Sequence, residues 1–191
     1  MNNLQKELIN IIKKEDWLMN ILKKARDLNL PDWYIGAGAI RNTVWNHLHS
    51  KSGIPPIGDI DLIYYDGKDI AGKKEKEAEK ILHKSMSLFK WEVVNQATAH
   101  RFNKGRAKAS SSCNAISHWI ETPTCVGVRL EKDDSFTICA PHGLEDLFNL
   151  IVRPTTIASQ NLLRYNKRIK ENNWIKNWPK LKITSFSTKT T

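Results

Sequence analysis

Two short runs in this chain combine residue types that do chemistry together. Gly36-Ala37-Gly38 follows Trp33-Tyr34-Ile35, which reads as a short strand. It precedes Ile40, Val44 and Leu48, spaced to share one face of a helix. Asp59-Ile60-Asp61 then opens a second strand that runs through Leu62, Ile63, Tyr64 and Tyr65 and closes at Asp66-Gly67. Alternate strand residues share a face, so Asp59 and Asp61 aim two carboxylates at one place. Such groups repel unless a cation joins them, and hard oxygens select Mg²⁺ or Mn²⁺. A Gly-x-Gly turn at a helix start lets backbone N–H groups approach a phosphate, and the helix end adds partial positive charge. Arg41, one turn into that helix, is placed to add phosphate contacts. The expected ligand is a nucleoside triphosphate beside a metal pair, arranged for in-line attack on phosphorus. The dinucleotide fingerprint and the phosphate-loop motif do not fit: Arg41 stands at the third glycine position and no Lys-Ser/Thr ending follows.

The elements that must position these residues are legible as an α+β pattern. Leu4, Leu8, Ile11 and Ile12 recur at helical spacing, and Asp16 caps a second run through Leu18, Ile21, Leu22 and Ala25, ended by Pro31. Lys51 to Gly58, with Pro55-Pro56, is a breaker loop. Residues 71–88 read as a charged helix with Ala78, Ile81, Leu82 and Met86 inward, and Trp91 to Gln96 as a third strand. Residues 98–121 read as mostly irregular or helical. Val126–Leu130 and Phe136–Cys139 flank Asp133-Asp134-Ser135 as a hairpin. A short helix is expected over 141–150, then a longer amphipathic one over 157–177 using Ile157, Leu162, Leu163, Tyr165 and Ile169, and a frayed polar tail from Thr184.

At this level the chain resembles the DNA polymerase β-like nucleotidyltransferase superfamily, whose signature is a glycine turn opening a helix, followed by Asp-x-Asp on a strand. More narrowly, four segments look like a bacterial family of nucleotidyltransferase-like proteins. They are Trp33-Tyr34-Ile35-Gly36-Ala37-Gly38-Ala39-Ile40-Arg41-Asn42, Gly58-Asp59-Ile60-Asp61, Val94-Asn95-Gln96-Ala97-Thr98-Ala99-His100 and Ala140-Pro141-His142-Gly143-Leu144-Glu145-Asp146-Leu147. The resemblance spans residues 15–157. It implies a mixed β-sheet backed by helices on one side, with helical N- and C-terminal segments. It also implies divalent metal, Mg²⁺ or Mn²⁺, at Asp59 and Asp61, and triphosphate on the Gly36-Ala37-Gly38 turn. The superfamily adds a third carboxylate on a neighbouring strand, which completes the metal site and can take the acceptor's proton. Glu92 and Asn95 are the candidates here; their strand parity is opposite, and Asn95 cannot act as a base. If Trp91 and Val93 pack inward, Glu92 faces the site, so Glu92 is the expected third ligand. Ala37 departs from the signature, which more often carries glycine there. His100 is a further candidate for nucleotide contact.

Bulk properties bound the partners. Of 191 residues, 40% are hydrophobic and 26% charged, with 9 Gly and 7 Pro, which excludes disordered and collagen-like chains. No stretch approaches the roughly 20 apolar residues of a membrane helix, and the first residues lack a signal pattern, so a cytoplasmic protein without membrane contact is expected. Cys113, Cys125 and Cys139 form no close pair and are expected as buried thiols. The net charge of +10 points to a polyanionic partner such as nucleic acid and is concentrated at the C-terminal end: residues 151–191 hold nine Lys and Arg against Glu171 alone. Trp174 and Trp178 lie within this stretch, either stacking bases or docking the segment on the body. Arg101, Lys104, Arg106 and Lys108 form a second basic run. Asp66 is expected to cap its turn, and Glu145 and Asp146 to cap a helix. The expected organisation is a nucleotidyltransferase-like domain over 1–157 with a basic C-terminal helix and tail, 158–191, packed on it.

The expected activity is transfer of a nucleoside monophosphate from a triphosphate to an acceptor hydroxyl or phosphate on RNA, a protein or a small molecule, with release of pyrophosphate. Two other classes suit the same residues. One is a nucleotide- or RNA-binding protein of this fold without turnover. The other is a basic protein-interaction module.

Overall fold

The computed structural model describes residues 1–102, 107–159 and 162–184. Lys104 and Arg106 of the second basic run, and the tail from residue 185, lie outside the described residues.

Two helices open the chain, α1 (Asn3–Lys13) and α2 (Asp16–Asp27). Asn2 and Gln5 form a reciprocal cap at the start of α1, each side chain accepting from the other's backbone N–H at 2.9 Å. At α2 the cap position is Glu15 rather than Asp16; Asp16 sits in the first turn, where its charge suits the helix dipole. Next come β1 (Tyr34–Gly36), α3 (Ala37–Leu48), β2 (Ile60–Tyr64), α4 (Lys73–Ser85), β3 (Trp91–Asn95), α5 (Ser112–Ser117), β4 (Gly127–Leu130) and β5 (Phe136–Cys139). The C-terminal part holds α6 (Glu145–Phe148), β6 (Ile151–Val152), α7 (Thr156–Ser159), α8 (Leu162–Asn172), α9 (Trp174–Asn177) and β7 (Lys182–Ile183).

The five-stranded sheet has order β3-β2-β1-β4-β5. Only the β2–β3 pair is parallel, so the sheet is mixed. Strand alternation divides it into two faces. Ile35, Ile60, Leu62, Tyr64, Trp91, Val93, Val128 and Leu130 point to the main core, where they meet Leu8, Ile12, Leu18, Ile21, Leu22, Ile40 and Val44 of the helices. Tyr34, Ile63 and Cys139 point the other way and form a smaller cluster with Ile116 of α5. The remainder of that second face is open and carries the site.

Alternation predicts strand faces better than helical spacing predicts helix faces here. Ala78 and Leu82 of α4 are buried as expected, but Ile81 is 47% exposed. Of the 13 residues of α4, Ala78 and Leu82 are the buried ones. The single helix expected over 157–177 is divided: Asn173 takes a left-handed conformation (φ 44°) between α8 and α9. Within it Leu163 is 84% exposed and Ile157 42%, while Tyr165 is buried and donates its hydroxyl to the Val152 and Thr184 carbonyls.

The tryptophans of the basic segment dock on the body. Trp45 of α3 meets Trp178 at 5.2 Å and Trp174 at 5.6 Å between ring centroids, both edge-on. Trp178 Nε1 donates to Asn46 Oδ1 at 2.9 Å.

The cysteine expectation is corrected. Cys113 and Cys139 form a disulfide that ties α5 to the edge strand β5, and only Cys125 is a free, buried thiol. The two partners lie 26 positions apart and are brought together by packing on the second sheet face, which spacing in the sequence does not encode. Among the described residues no helix is long and apolar enough to cross a membrane.

Candidate active site

The parallel register of β2 and β3 sets Asp61 directly beside Glu92. Trp91 and Val93 are buried on the core side, so Glu92 projects from the open face, as their inward packing requires. Asp59 lies at the entrance to β2, on the same side as Asp61. One ligand oxygen from each of Asp59, Asp61 and Glu92 lies within 4.8 Å of the others. Three carboxylates this close repel, and the effect falls on the most enclosed of them. Burial, then the Asp59 and Glu92 charges, push the Asp61 pKa up to about 7, against the pull of Arg41 and Arg168. An all-oxygen set of three carboxylates suits a hard divalent cation, which would relieve that repulsion.

Asn95, the alternative to Glu92, is excluded by its position. It is fully buried, and its side-chain amide ties down the turn after β2, donating to the Asp66 and Asp69 carbonyls and accepting from the Asp66 N–H. Asp66 itself accepts from the Lys68 N–H and pairs with Lys74, a turn role away from the site.

The glycine turn occupies the β1–α3 junction. Gly36 has ordinary extended backbone, so its requirement is steric. A side chain there would start 2.8 Å from the Trp119 ring and 3.0 Å from the Val126 carbonyl oxygen. Ala37 takes the positive φ (48°) that glycine tolerates best, and its N–H is engaged by the Val126 carbonyl at 3.2 Å. The first helix amide able to serve a ligand is therefore that of Gly38. Around Gly38 the space is open: an added Cβ would have only ordinary contacts with Asn42 and Arg41. Gly36→Ala should accordingly cost about 1–3 kcal/mol through overpacking, whereas Gly38→Ala should leave stability within about 0.5 kcal/mol while placing a methyl group where a phosphate would lie. Urea unfolding of both variants and a nucleotide-binding titration of the second check this.

Arg41 is in the cleft wall but is not a mobile cation. It is 5% exposed; Nε donates to Asn42 Oδ1 and Nη1 to Thr124 Oγ1 at 2.7 Å. Its guanidinium lies over the rings of Trp174 (4.4 Å) and Trp45 (4.9 Å). Burial lowers its pKa to about 10, so it stays charged at neutral pH. His100 is in a short 3₁₀ turn after β3, outside the residues that line the cleft; its Nδ1 is buried, with no hydrogen-bond partner among the described residues.

These groups border a cleft of about 910 Å³. Asp59, Asp61 and Glu92 line it together with Ala37, Gly38 and Arg41. A further part of its wall comes from Glu121 and from the C-terminal segment, through Arg164, Arg168 and Trp174. That wall is absent from the sequence-based site. Its one readable signal is the i, i+4 spacing of Arg164 and Arg168, which places both on one helix face.

With this geometry in hand, the relatives can be weighed. A family model described as nucleotidyltransferase matches residues 23–183. The solved structure of a protein whose NMR structure reveals a CCA-adding enzyme head domain is 33% identical, with TM-score 0.83, covering 94% of this chain and 95% of its own. A CCA-adding enzyme in complex with CTP (12% identity, TM-score 0.59) and the Thermotoga maritima CCA-adding enzyme in complex with tRNA (12%, TM-score 0.57) share the fold. This chain is covered to 96% and 97% in these comparisons and spans 44% and 43% of those proteins. No curated protein sequence is significantly similar to the chain. The fold is thus the polymerase β-like one that the glycine turn and Asp-x-Asp strand implied, and the chain belongs to the nucleotidyltransferase family.

Proposed function

We propose that the protein is a metal-dependent nucleotidyltransferase that moves a nucleoside monophosphate from a nucleoside triphosphate to an acceptor hydroxyl and releases pyrophosphate. The observation that carries this reading is the convergence of Asp59, Asp61 and Glu92 in a cleft that the Gly38 turn and a set of guanidiniums also line. The charge of the cleft supports metal dependence. Among the described residues, four carboxylates (Asp59, Asp61, Glu92, Glu121) and three guanidiniums (Arg41, Arg164, Arg168) line it, so beside these groups a triphosphate would add its charge to a surplus of negative ones unless cations enter with it. Asp59, Asp61 and Glu92 would hold Mg²⁺ or Mn²⁺. Bound there, the metal supplies charge neutralisation at the phosphate oxygens and acidifies an adjacent hydroxyl.

The chain's own groups divide the remaining work. The Gly38 amide and the start of α3 bind phosphate oxygens with backbone donors and the helix dipole. Arg41 fixes a positive charge beside Asp61 and anchors the wall through Thr124. Glu92, exposed on the open face, receives the proton of the acceptor hydroxyl as its oxygen bonds to the α-phosphorus; the bond from that phosphorus to the bridging oxygen breaks and pyrophosphate leaves. The CCA-adding relatives suggest RNA as one acceptor class, beside protein hydroxyls and small molecules.

The test is pyrophosphate release from each of the four ribonucleoside triphosphates with Mg²⁺ or Mn²⁺. Release that stops on chelation with EDTA and returns with added cation is the expected result. Triphosphate binding without release, over a range of acceptors, would favour a binding protein of the same fold.

A further inference from the structure

The geometry points to the C-terminal helix α8 as the holder of the β- and γ-phosphates, with Arg168 as the contacting cation and Glu121 as its positioning residue. This rests on the nucleotidyltransferase reading of the cleft and adds to it a subsite that the glycine turn and the acidic strand do not contain.

The argument starts from which cation is able to meet a ligand. Arg41 is sequence-adjacent to the turn, yet it is only 5% exposed, with Nε and Nη1 bonded to Asn42 and Thr124 and two indole rings over its guanidinium. The Arg168 side chain is 39% exposed within the same cleft. It is held from behind: Nε donates to Glu121 Oε1 at 2.7 Å and Nη2 to Oε2 at 3.4 Å. Glu121 has no solvent exposure at all.

An ion pair with one partner fully buried adds little net stability, because desolvating that charge offsets much of the attraction. What it provides is orientation: a planar guanidinium gripped on one edge presents its other edge in a fixed direction. The same segment sets both cations. Glu121 grips Arg168, and Thr124, at the end of the adjoining 3₁₀ turn, accepts from Arg41. Arg164 lies one turn earlier on α8 and lines the same cleft. Arg168 lines the same cleft as the acidic cluster, near enough for its charge to favour ionised Asp61. With the α-phosphate at the carboxylates, the rest of the triphosphate has this wall to run along.

The consequence is selective. A nucleoside monophosphate ends at the α-phosphate and does not reach α8, so Arg168 should matter for triphosphates alone. The experiment titrates the protein, with Mg²⁺, against α,β-methylene nucleoside triphosphates and against the matching monophosphates. In Arg168→Gln the triphosphate Kd should rise about 10- to 100-fold, the loss expected for one charge-assisted contact, while the monophosphate Kd stays within about twofold. Arg168→Lys, which keeps the charge and loses the fork, should fall between. Because Arg168→Gln leaves Glu121 buried and unpaired, Glu121→Gln/Arg168→Gln is the second arm; it removes both charges and should show the same selective loss. An unchanged ratio of triphosphate to monophosphate affinity in the double variant overturns the subsite and leaves the nucleotidyltransferase reading standing. Wild-type protein that shows no cation-dependent preference for triphosphate overturns both.

Discussion

Replacing Asp61 with Asn is expected to abolish pyrophosphate release, by at least about a thousandfold. The electrostatic stabilisation that a metal site supplies is worth several kcal/mol, and each 1.36 kcal/mol is tenfold in rate. The same change should stabilise the fold, which separates lost chemistry from lost structure. Asp61 has a pKa raised to about 7 by burial and by Asp59 and Glu92. A carboxyl whose folded pKa lies above its unfolded value contributes its full stability below the unfolded value and loses it as pH rises through the folded one. Metal-free wild type should therefore weaken between about pH 4 and pH 7, while Asp61→Asn should not share this loss. At pH 8 the variant should be more stable by about 1–2 kcal/mol, a figure reduced from the full shift because the site is open to solvent. Added Mn²⁺ should raise the melting temperature of wild type and leave the variant nearly unmoved. Thermal melts at pH 5 and pH 8, with EDTA and with Mn²⁺, measure all of this. Equal pH dependence in the two proteins would contradict the electrostatic account of the triad.

Trp178→Ala is expected to have the largest effect on stability. The residue is 1% exposed, packs edge-on against Trp45, and donates to Asn46. Truncating a buried tryptophan costs about 3–5 kcal/mol. The loss should reach the site, because Trp45 and neighbouring Trp174 enclose Arg41, and α8 carries Arg164 and Arg168. We propose that residues 158–184 fold as one unit with residues 1–157. On that basis urea unfolding of the variant should remain a single transition at lower midpoint, with weakened triphosphate binding. Two separate transitions, or a cost under about 1 kcal/mol, would mean that the segment is an appendage.

Legibility followed the period of each element. On β2 and β3 the strict alternation of strands placed Asp61 and Glu92 on one face, and the buried pair Trp91 and Val93 chose between Glu92 and Asn95. Local turn chemistry likewise marked the Gly36–Gly38 junction, although the reason for Gly36 is the Trp119 ring, 83 positions away, which no local pattern reveals. Long-range packing was illegible for the same reason. Arg41 was readable as a phosphate ligand from its place in the helix, but its burial was not: Trp45 lies four positions on, while Trp174, the nearer of the two rings over it, arrives from the far end of the chain. The C-terminal charge looked like a surface for a polyanion. In the fold, Arg168 turns inward to Glu121 and Arg153 pairs with Asp146, so part of that charge is neutralised or faces the cleft. The Cys113–Cys139 bond depends on α5 crossing the second sheet face, a contact set by tertiary packing.

The account stands most directly on where cations and triphosphate bind. A crystal structure with Mn²⁺ and an α,β-methylene nucleoside triphosphate, read by manganese anomalous scattering, measures it. The predicted result is metal coordinated by Asp59, Asp61 and Glu92, with the triphosphate running from them past the Gly38 amide. Manganese bound away from these carboxylates, or a triphosphate seated outside the cleft, would contradict it.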